Sequence, residues 1–385
     1  MQGKRIRKTL CRRNSGKKKK KIGRTEKLSL KVQGVPARKK CLLREYMKSA
    51  KDVYYYIEET HLKTLAFLNE KERDALIQAK RQPLPEEEYE TMLRKGIRFV
   101  PWCSSEYPKR LKEITDFPYA LYVKGSLPDE ERRRTAIVGA RRCTPYGEKY
   151  AIDFARSLAG HNVEIISGMA RGVDGMAHRG ALMGGGRTFA VLGSGADVCY
   201  PKEHIGLYVD ILEQGGGIIS EYPPGTAPLP QNFPARNRII SGLSDAVLVM
   251  EAGKKSGSLI TVDMALEQGR DVYALPGPVN SSLSDGCNRL IRQGAGVLIS
   301  PEALLEEWEL SGSGEMPGCK KADKNEKMLE SPEKLVYSCL GLYPKNVAQV
   351  AAEAKIDIKS AMELLVSLEL AGYIREISKN QYIIA

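Results

Sequence analysis

Between residues 134 and 300 the sequence alternates short apolar runs with longer amphipathic stretches, and this alternation restricts the possible folds more than any other feature. The runs are rich in Val, Ile, Leu and Ala, and they lie at 135–138, 163–166, 188–192, 217–220, 246–250, 272–275 and 297–299. Short apolar runs of this kind are typical of strands that are buried on both faces. Most of the stretches between them are long enough for a crossover helix. We therefore predict an α/β fold with a doubly wound, mainly parallel sheet.

The first part of the chain has a different composition. Residues 1–40 contain 17 Lys and Arg and a single acidic residue, Glu26, so they carry a net charge of +16. Since the whole chain carries +13, the other 345 residues sum to −3. The five consecutive lysines at 17–21 repel one another and bury no apolar surface, which predicts a basic, disordered tail at residues 1–44. Two roles stay open for this tail: a solvated extension without function, or an accessory contact with nucleic acid.

Four further segments follow the tail. Apolar residues at helical spacing predict a small helical domain at residues 45–96, and the sheet domain with its leading extended segment occupies residues 97–310. The polar residues 311–330 form a linker. Residues 331–385 contain three helical patterns and an alternating end, which predict a C-terminal winged helix. Its second and third helices carry few basic residues, so contact with a protein is favoured over DNA recognition.

Features that the sequence lacks exclude several classes of protein. The eight scattered cysteines include no CxxC pair and have no nearby histidine at zinc spacing, so we expect reduced thiols and no metal site. The basic N-terminus has no apolar stretch of signal-peptide length, and no run approaches the roughly 18 apolar residues of a membrane span. We therefore expect a soluble, cytoplasmic protein without a membrane partner.

Loops at the ends of the apolar runs are rich in Gly, Ser, Arg and Asp, and they lie at 138–147, 167–180, 192–197, 200–204, 232–238 and 255–258. Ligands of doubly wound sheets bind beyond the C-terminal ends of the strands, where these loops meet. Gly139 allows close approach to a phosphate, and Arg141 presents its guanidinium to an anion. Thr144 can cap the following helix, whose first position suits Pro145. Together the loops predict a site for an anionic ligand.

No catalytic machinery is evident in these loops. The first crossover lacks the GxGxxG dinucleotide fingerprint, and the chain contains no Walker GxxxxGK[ST] motif. His178 and His204 lack the Ser or Cys and the carboxylate of a nucleophilic triad, so structural roles are favoured for both. We expect a protein that has no catalytic residues and needs no cofactor.

A series of motifs in these loops resembles bacterial DprA/Smf proteins in order and spacing. The motifs are IVGAR at 137–141, SGMARGVD at 167–174 with AH at 177–178, AVLGSG at 190–195 with YPK at 200–202, SEYPP at 220–224, FPARNRIISG at 233–242, and ALPGPVN at 274–280 with GCN at 286–288. The resemblance covers about residues 97–310. It implies an extended Rossmann-like fold and a homodimer. It also implies non-catalytic binding and protection of single-stranded DNA, with loading of the RecA recombinase during natural transformation.

The same resemblance implies which residues form the DNA site. Arg141 and Lys202 are expected to contact DNA phosphates. The other residues expected at the site are Gly139, Ser167, Gly168, Arg171, Gly193, Gly195, Arg236, Asn237, Arg238, Ser256, Gly257 and Ser258. For Arg171 a structural pair with Asp174 stays open as an alternative. The helical domain at 45–96 departs from the glycine-bearing hairpin of the family, because residues 45–82 contain no glycine; it is expected to be a degenerate SAM-like or helix-hairpin-helix-like domain.

Two other functions are considered. Nucleoside-monophosphate phosphoribohydrolases of the lysine-decarboxylase-like group have a related fold and carry a PGGxGTxxE motif, whose glutamate helps to cleave the glycosidic bond. The matching stretch here is 255–261, with Thr261 at the position of that glutamate, and threonine cannot act as a carboxylate acid or base. The second alternative is an adaptor protein that acts through the winged helix alone. It is disfavoured because it gives the arginine-bearing loops no function.

Overall fold

The computed structural model describes residues 34–47, 59–81, 86–310, 331–341, 344–378 and 380–384. The strands of its main sheet are β1 Ile97–Pro101, β2 Ala120–Gly125, β3 Arg134–Val138, β4 Glu164–Ser167, β5 Thr188–Leu192, β6 Gly217–Ser220, β7 Ala246–Val249, β8 Asp271–Ala274 and β9 Gly296–Val297. Their order is β1-β2-β6-β5-β4-β3-β7-β8-β9. Strand β2 pairs antiparallel with β1 and with β6, whereas the other neighbours are parallel.

The helices of the described residues are α1 Ala37–Met47, α2 Glu59–Thr64, α3 Glu70–Arg81, α4 Glu86–Arg94, α5 Lys109–Glu113, α6 Pro145–Gly160, α7 Val173–Met183, α8 Ile205–Glu213, α9 Asn232–Leu243, α10 Gly257–Glu267, α11 Asp285–Arg292, α12 Pro301–Glu307, α13 Ser331–Cys339, α14 Val347–Ala354 and α15 Ile358–Leu370. Helices cover both faces of the sheet. Ile137 on β3 packs in one core cluster with α6, α7 and α12, whereas its neighbours Ala136 and Val138 pack in another with α9, α10 and α11. This alternation follows from the period of two in a strand.

The predicted fold class is confirmed. Strands β5 and β6 have the predicted bounds, and the other five predicted strands are present with their ends shifted by one or two residues. All residues of β3, β4, β5, β6 and β7 are buried, which is why their sequences show no polar alternation.

The structure differs from the sequence prediction at the N-terminal end. Residues 37–44, which we expected to be part of a disordered tail, belong to helix α1. Val35, Cys41 and Leu43 are buried in a cluster that includes Ile97 and Tyr122 of the first two strands. The apolar surface needed to order this helix therefore comes from residues far away in the chain, and the local charge does not decide its structure. The rest of the predicted tail, residues 1–33, lies outside the described residues.

The C-terminal region has the order of elements expected for a winged helix. Helices α13, α14 and α15 are followed by an antiparallel pair, β10 Ile374–Ser378 and β11 Gln381–Ile384. Asn346 and Gln349 form a capping box at α14, and Asp357 caps α15. The predicted linker at residues 311–330 lies outside the described residues.

Candidate nucleic-acid interface

A cleft of about 360 Å³ lies where the direction of strand addition reverses. Strand β3 is flanked by β4 on one side and by β7 on the other, and the chain adds strands outward in both directions from there. Loops at such a switch point diverge and leave a crevice beyond the C-terminal strand ends. This cleft, the switch-point cleft, is lined among others by Gly139, Arg141, Asp174, Tyr200, Phe233, Arg236, Asn237, Ser256, Gly257 and Ser258.

Arg141 and two aromatic rings form one wall of the switch-point cleft. The Arg141 guanidinium lies over the Phe233 ring, 5.6 Å from its centroid. The Tyr200 ring lies 5.5 Å from the Phe233 ring at an interplanar angle of 36°. Tyr200 is 42 % exposed. Phe233 is half-buried. A cation above a partly exposed pair of aromatic rings suits a ligand that offers both negative charge and flat apolar rings.

Lys202 lies beside this wall but does not line the cleft itself. It begins a 3₁₀ turn, Lys202–His204, two residues after Tyr200, and it is exposed. Neither Lys202 nor Arg141 forms an ion pair or a side-chain hydrogen bond with any residue that the structure describes. Both cations are therefore free to contact an anionic ligand at the rim.

The lining of the cleft also includes the N-terminus of α10. The Ser256 hydroxyl caps this helix by accepting the Ser258 amide at 3.4 Å, and the two hydroxyl oxygens are 2.7 Å apart. Gly257 between them is exposed, with open space where a Cβ would stand. The positive end of the helix dipole adds to the attraction for anions in this part of the cleft.

Arg236 supports the cleft from inside the protein. It is 4 % exposed, and its guanidinium donates to the Gly168 carbonyl oxygen at 2.9 Å and to the Val191 carbonyl oxygen. It lies beside the buried Asp174 carboxyl, where its charge opposes the rise in the pKa of Asp174 that burial causes. Burial lowers the pKa of Arg236 to about 10. One terminal nitrogen of the guanidinium makes both bonds and holds the ends of strands β4 and β5 together.

Two other predicted arginines are occupied by carboxylates. Arg171 pairs with Glu203 at the surface, so the alternative of a pair with Asp174 is not what the structure shows. Arg238 makes two bonds to the Glu221 carboxylate, at 2.9 Å and 2.8 Å, and a third to Asp116 at 3.2 Å. Arg238 does not line the switch-point cleft. The structure therefore places Arg238 in an ion-pair network that fixes α9.

The predicted small residues shape the cleft from behind. A Cβ on Gly168 would lie 2.6 Å from the Arg236 guanidinium, and a Cβ on Gly193 would lie 2.9 Å from the Phe233 ring. On Gly195 it would meet the Pro223 carbonyl oxygen at 2.7 Å. Ser167 is buried and donates to the Ile137 carbonyl oxygen at 2.6 Å. These residues allow close packing beneath the cleft and do not face it.

The two histidines have structural contacts. His178 is fully buried, its Nδ1 lies 2.7 Å from the Thr188 hydroxyl, and burial lowers its pKa to about 3. His204 is bonded through Nδ1 to the Met169 carbonyl oxygen at 3.0 Å. Among the described residues that line the cleft, Asp174 is the only carboxylic acid, and Thr261 is buried in the lining. This set lacks the paired acid and base of a hydrolytic site.

Tyr200 and Phe233 are site residues that the sequence analysis missed. They appear in its motifs, but only the charged and small residues beside them were assigned to the site. The signal that could have identified them was their spacing from basic residues: Tyr200 is two residues before Lys202, and Phe233 is three residues before Arg236. Aromatic residues interleaved with basic residues are typical of single-strand binding surfaces.

The residues that the structure describes include neither a membrane-spanning helix nor a cluster of metal ligands. None of the helices in this part of the chain is long and apolar enough to cross a membrane. The same residues contain no group of three or more His, Cys, Asp or Glu arranged to hold a metal ion.

Comparison with known proteins agrees with this architecture. Residues 98–309 match the sequence model of a family described as DNA recombination-mediator protein A. The chain is 42 % identical over 280 residues to the protein Smf of Escherichia coli, covering 71 % of this chain and 74 % of that protein. It is 46 % identical over 203 residues to the DNA processing protein DprA of Streptococcus pneumoniae, covering 53 % and 71 %.

The X-ray structure of DprA from Streptococcus pneumoniae is also similar. It superposes with a TM-score of 0.64 at 35 % identity, covering 74 % of this chain and 98 % of that one. The residues matched by the family model, 98–309, carry the switch-point cleft, and the chain therefore belongs to the DNA recombination-mediator protein A family, whose similar curated members are named DprA or Smf.

Proposed function

We propose that the switch-point cleft binds single-stranded DNA without cleaving it. The observation that carries this proposal is the Arg141 guanidinium lying over Phe233, which packs against Tyr200. Phosphates would contact Arg141 and Lys202, while unstacked bases would lie against the two rings. Membership of a family described as a DNA recombination mediator supports this ligand.

The geometry favours a single strand over a duplex. Base faces are available for stacking only when the bases are unpaired and unstacked. The free cations and rings offer contacts to phosphates and to ring faces, which every nucleotide has, and contacts of this kind carry little sequence information. We therefore expect binding with little sequence preference and with weaker affinity for duplex DNA.

The biological role that we propose is protection of incoming single strands and loading of the RecA recombinase onto them during transformation and recombination. The protein would act in the cytoplasm as a homodimer, with DNA and RecA as partners and without a cofactor. The resemblance of the motifs to DprA/Smf proteins supports this role. A phosphoribohydrolase activity is disfavoured because Asp174 lies beside Arg236 and Thr261 replaces the needed glutamate.

Removing Arg141 or Lys202 is expected to flatten the salt dependence of DNA binding. Each phosphate neutralised on a single strand contributes about −0.7 to the slope of log affinity against log salt. Arg141→Ala and Lys202→Ala should each make the slope shallower by about 0.7. The measurement is fluorescence anisotropy with mixed-sequence oligonucleotides over a range of salt concentrations. A chain that starts at Gly34 should be used, because residues 1–33 carry most of the positive charge of the tail.

Arg171→Ala is the matched control for this experiment. Arg171 is exposed on a neighbouring loop but is already paired with Glu203, so its removal should leave the slope unchanged. Circular dichroism would verify that all three variants are folded. If the Arg141 and Lys202 variants kept both the affinity and the slope of the parent, the phosphate contacts proposed for this rim would be wrong.

The winged-helix region supports a different role from DNA binding. Helix α15 exposes a row of apolar side chains at Ile358, Met362, Val366 and Leu370, where a DNA-reading helix would present basic and polar groups. A chain that ends at Leu310 is therefore expected to retain the single-strand affinity of the full chain. Loss of binding on this truncation, with the sheet domain still folded, would place the DNA site in the C-terminal region and contradict the proposed site.

A further inference from the structure

The buried carboxylate of Glu251 has no role in the proposed contacts with DNA, yet it lies directly behind the loop that carries Arg141. Glu251 follows β7 and is 1 % exposed. Its Oε2 accepts the Thr144 amide at 2.8 Å, and its Oε1 accepts the Thr144 hydroxyl at 2.6 Å. Among the residues that the structure describes, it forms no ion pair. A buried carboxylate without a cation is costly unless its hydrogen bonds and a local dipole stabilise it.

The N-terminus of α6 supplies that stabilisation. The Thr144 hydroxyl that donates to Glu251 also caps α6 by accepting the Gly147 amide at 3.3 Å. The carboxylate thus lies at the positive end of a 16-residue helix. A Cβ on Gly147 would lie 2.4 Å from Oε2, so the helix approaches the carboxylate as closely as only glycine permits. In many doubly wound sheets a phosphate of the ligand binds at the N-terminus of a helix such as α6. Here the Glu251 carboxylate occupies that position.

Glu251 also contacts the other end of the same loop. A Cβ on Gly139 would lie 2.9 Å from the Glu251 backbone oxygen, so that Gly139 packs directly on this residue. Loop 139–144 is therefore fixed at its first residue by the Glu251 main chain and at its last residue by the Glu251 side chain. Arg141 and Arg142 are exposed between these two points.

We infer that Glu251 is a positioning residue for DNA binding: it holds loop 139–144 in the conformation that places the Arg141 guanidinium over Phe233. This inference rests on the proposed function of the switch-point cleft. In this arrangement the Glu251 carboxylate occupies the N-terminus of α6, and DNA phosphates contact Arg141 and Lys202 at the rim of the cleft. Glu251 itself does not touch the DNA.

The test is a double-mutant cycle on single-strand affinity in the full chain, with Glu251→Gln and Arg141→Ala made singly and together. The tail is common to all four proteins, and the titrations are made at a salt concentration that suppresses its independent binding, so that the cycle reports on the cleft. Glutamine keeps an acceptor for the Thr144 amide, and its NH₂ can donate to the Thr144 hydroxyl, so the substitution removes the negative charge and reverses the direction of one bond. Glu251→Gln alone is expected to weaken binding by about fivefold, because a hydrogen bond to a charged group is replaced by a weaker neutral one. In the Arg141→Ala background it should change the affinity by less than about twofold, because no guanidinium remains to be positioned.

A second pair of variants separates positioning from a general loss of helix capping. Thr144→Val removes the hydroxyl that donates to Glu251 and should reproduce the fivefold loss of DNA affinity. Thr144→Ser keeps the hydroxyl and amide bonds to Glu251 and should bind DNA with the parent affinity. Ser300→Ala is the matched control, because Ser300 caps α12 by accepting the Ala303 amide at 3.1 Å in front of a proline, as Thr144 does for α6. It should lower the melting temperature but leave DNA affinity unchanged.

The outcomes distinguish this inference from the proposed function. If Arg141→Ala binds DNA as tightly as the parent, the proposed phosphate contact fails. If Arg141→Ala is weakened but Glu251→Gln is not, or if the two losses add fully in the double variant, the phosphate contact stands and the positioning role of Glu251 is overturned. Loss of affinity in Ser300→Ala equal to that in Thr144→Val would also overturn it.

Discussion

Replacing Arg236 with methionine is expected to lower the free energy of unfolding by about 3–5 kcal/mol, the range seen when one member of a buried charged pair is removed. The guanidinium bonds to the carbonyl oxygens of Gly168 and Val191, and it is the nearby cation of the buried Asp174 carboxyl. Methionine fills a similar volume but leaves these acceptors without donors in a site that water does not reach. Chemical denaturation followed by circular dichroism measures the change.

Asp174→Asn provides the second half of this experiment. With the aspartate neutralised, the loss of Arg236 no longer leaves a buried charge uncompensated, so the double variant should lose less stability than the two single losses combined. Arg171→Met is the matched control, because it removes an arginine of the same region that is exposed and paired only at the surface. Equal destabilisation by Arg171→Met and Arg236→Met would show that the burial of Arg236 has no energetic consequence, contrary to this account.

Replacing Phe233 with alanine is expected to weaken single-strand binding by about 1–3 kcal/mol, the usual contribution of one base stacked on an aromatic side chain. The substitution also removes the ring over which the Arg141 guanidinium lies and against which Tyr200 packs. Equilibrium titration with oligonucleotides of several base compositions measures the effect. The loss should be similar for all of them, because every base has a face that can stack.

Conservative variants identify stacking as the cause. Phe233→Trp and Tyr200→Phe keep an aromatic face at each position and should keep affinity within about threefold of the parent, since stacking tolerates a change of ring. Phe233→Leu keeps apolar surface but not a flat ring, and it should behave like the alanine variant. Parent-like affinity in both Phe233→Ala and Phe233→Leu would mean that the bases do not lie on this wall.

The sequence predicted the sheet well because buried parallel strands leave a local signal. In 188–192 and 217–220 every residue is buried, so a short, mostly apolar run that begins after Arg187 or after Gly216 marks each strand without further information. The Thr144 cap and Pro145 at the start of α6 were predicted for the same reason, since capping depends on a few neighbouring residues. Helix α1 was missed at residues 37–44 because the apolar surface of its cluster belongs to other elements, which include Leu62 in α2 and Tyr122 in β2.

The sequence by itself determined that the loops after the parallel strands lie at one edge of the sheet, because crossover connections return every parallel strand in the same direction. It could not determine which cations in those loops remain free. Arg236 and Arg238 are two residues apart on α9, and one turns into the protein beside Asp174 while the other reaches Glu221 and Asp116. Arg171 meets Glu203 across 32 residues of chain, whereas Arg141 lies over the face of Phe233 and has no ion-pair partner among the residues that the structure describes. A side chain's partner depends on packing between distant segments, and that is decided only when the tertiary structure forms.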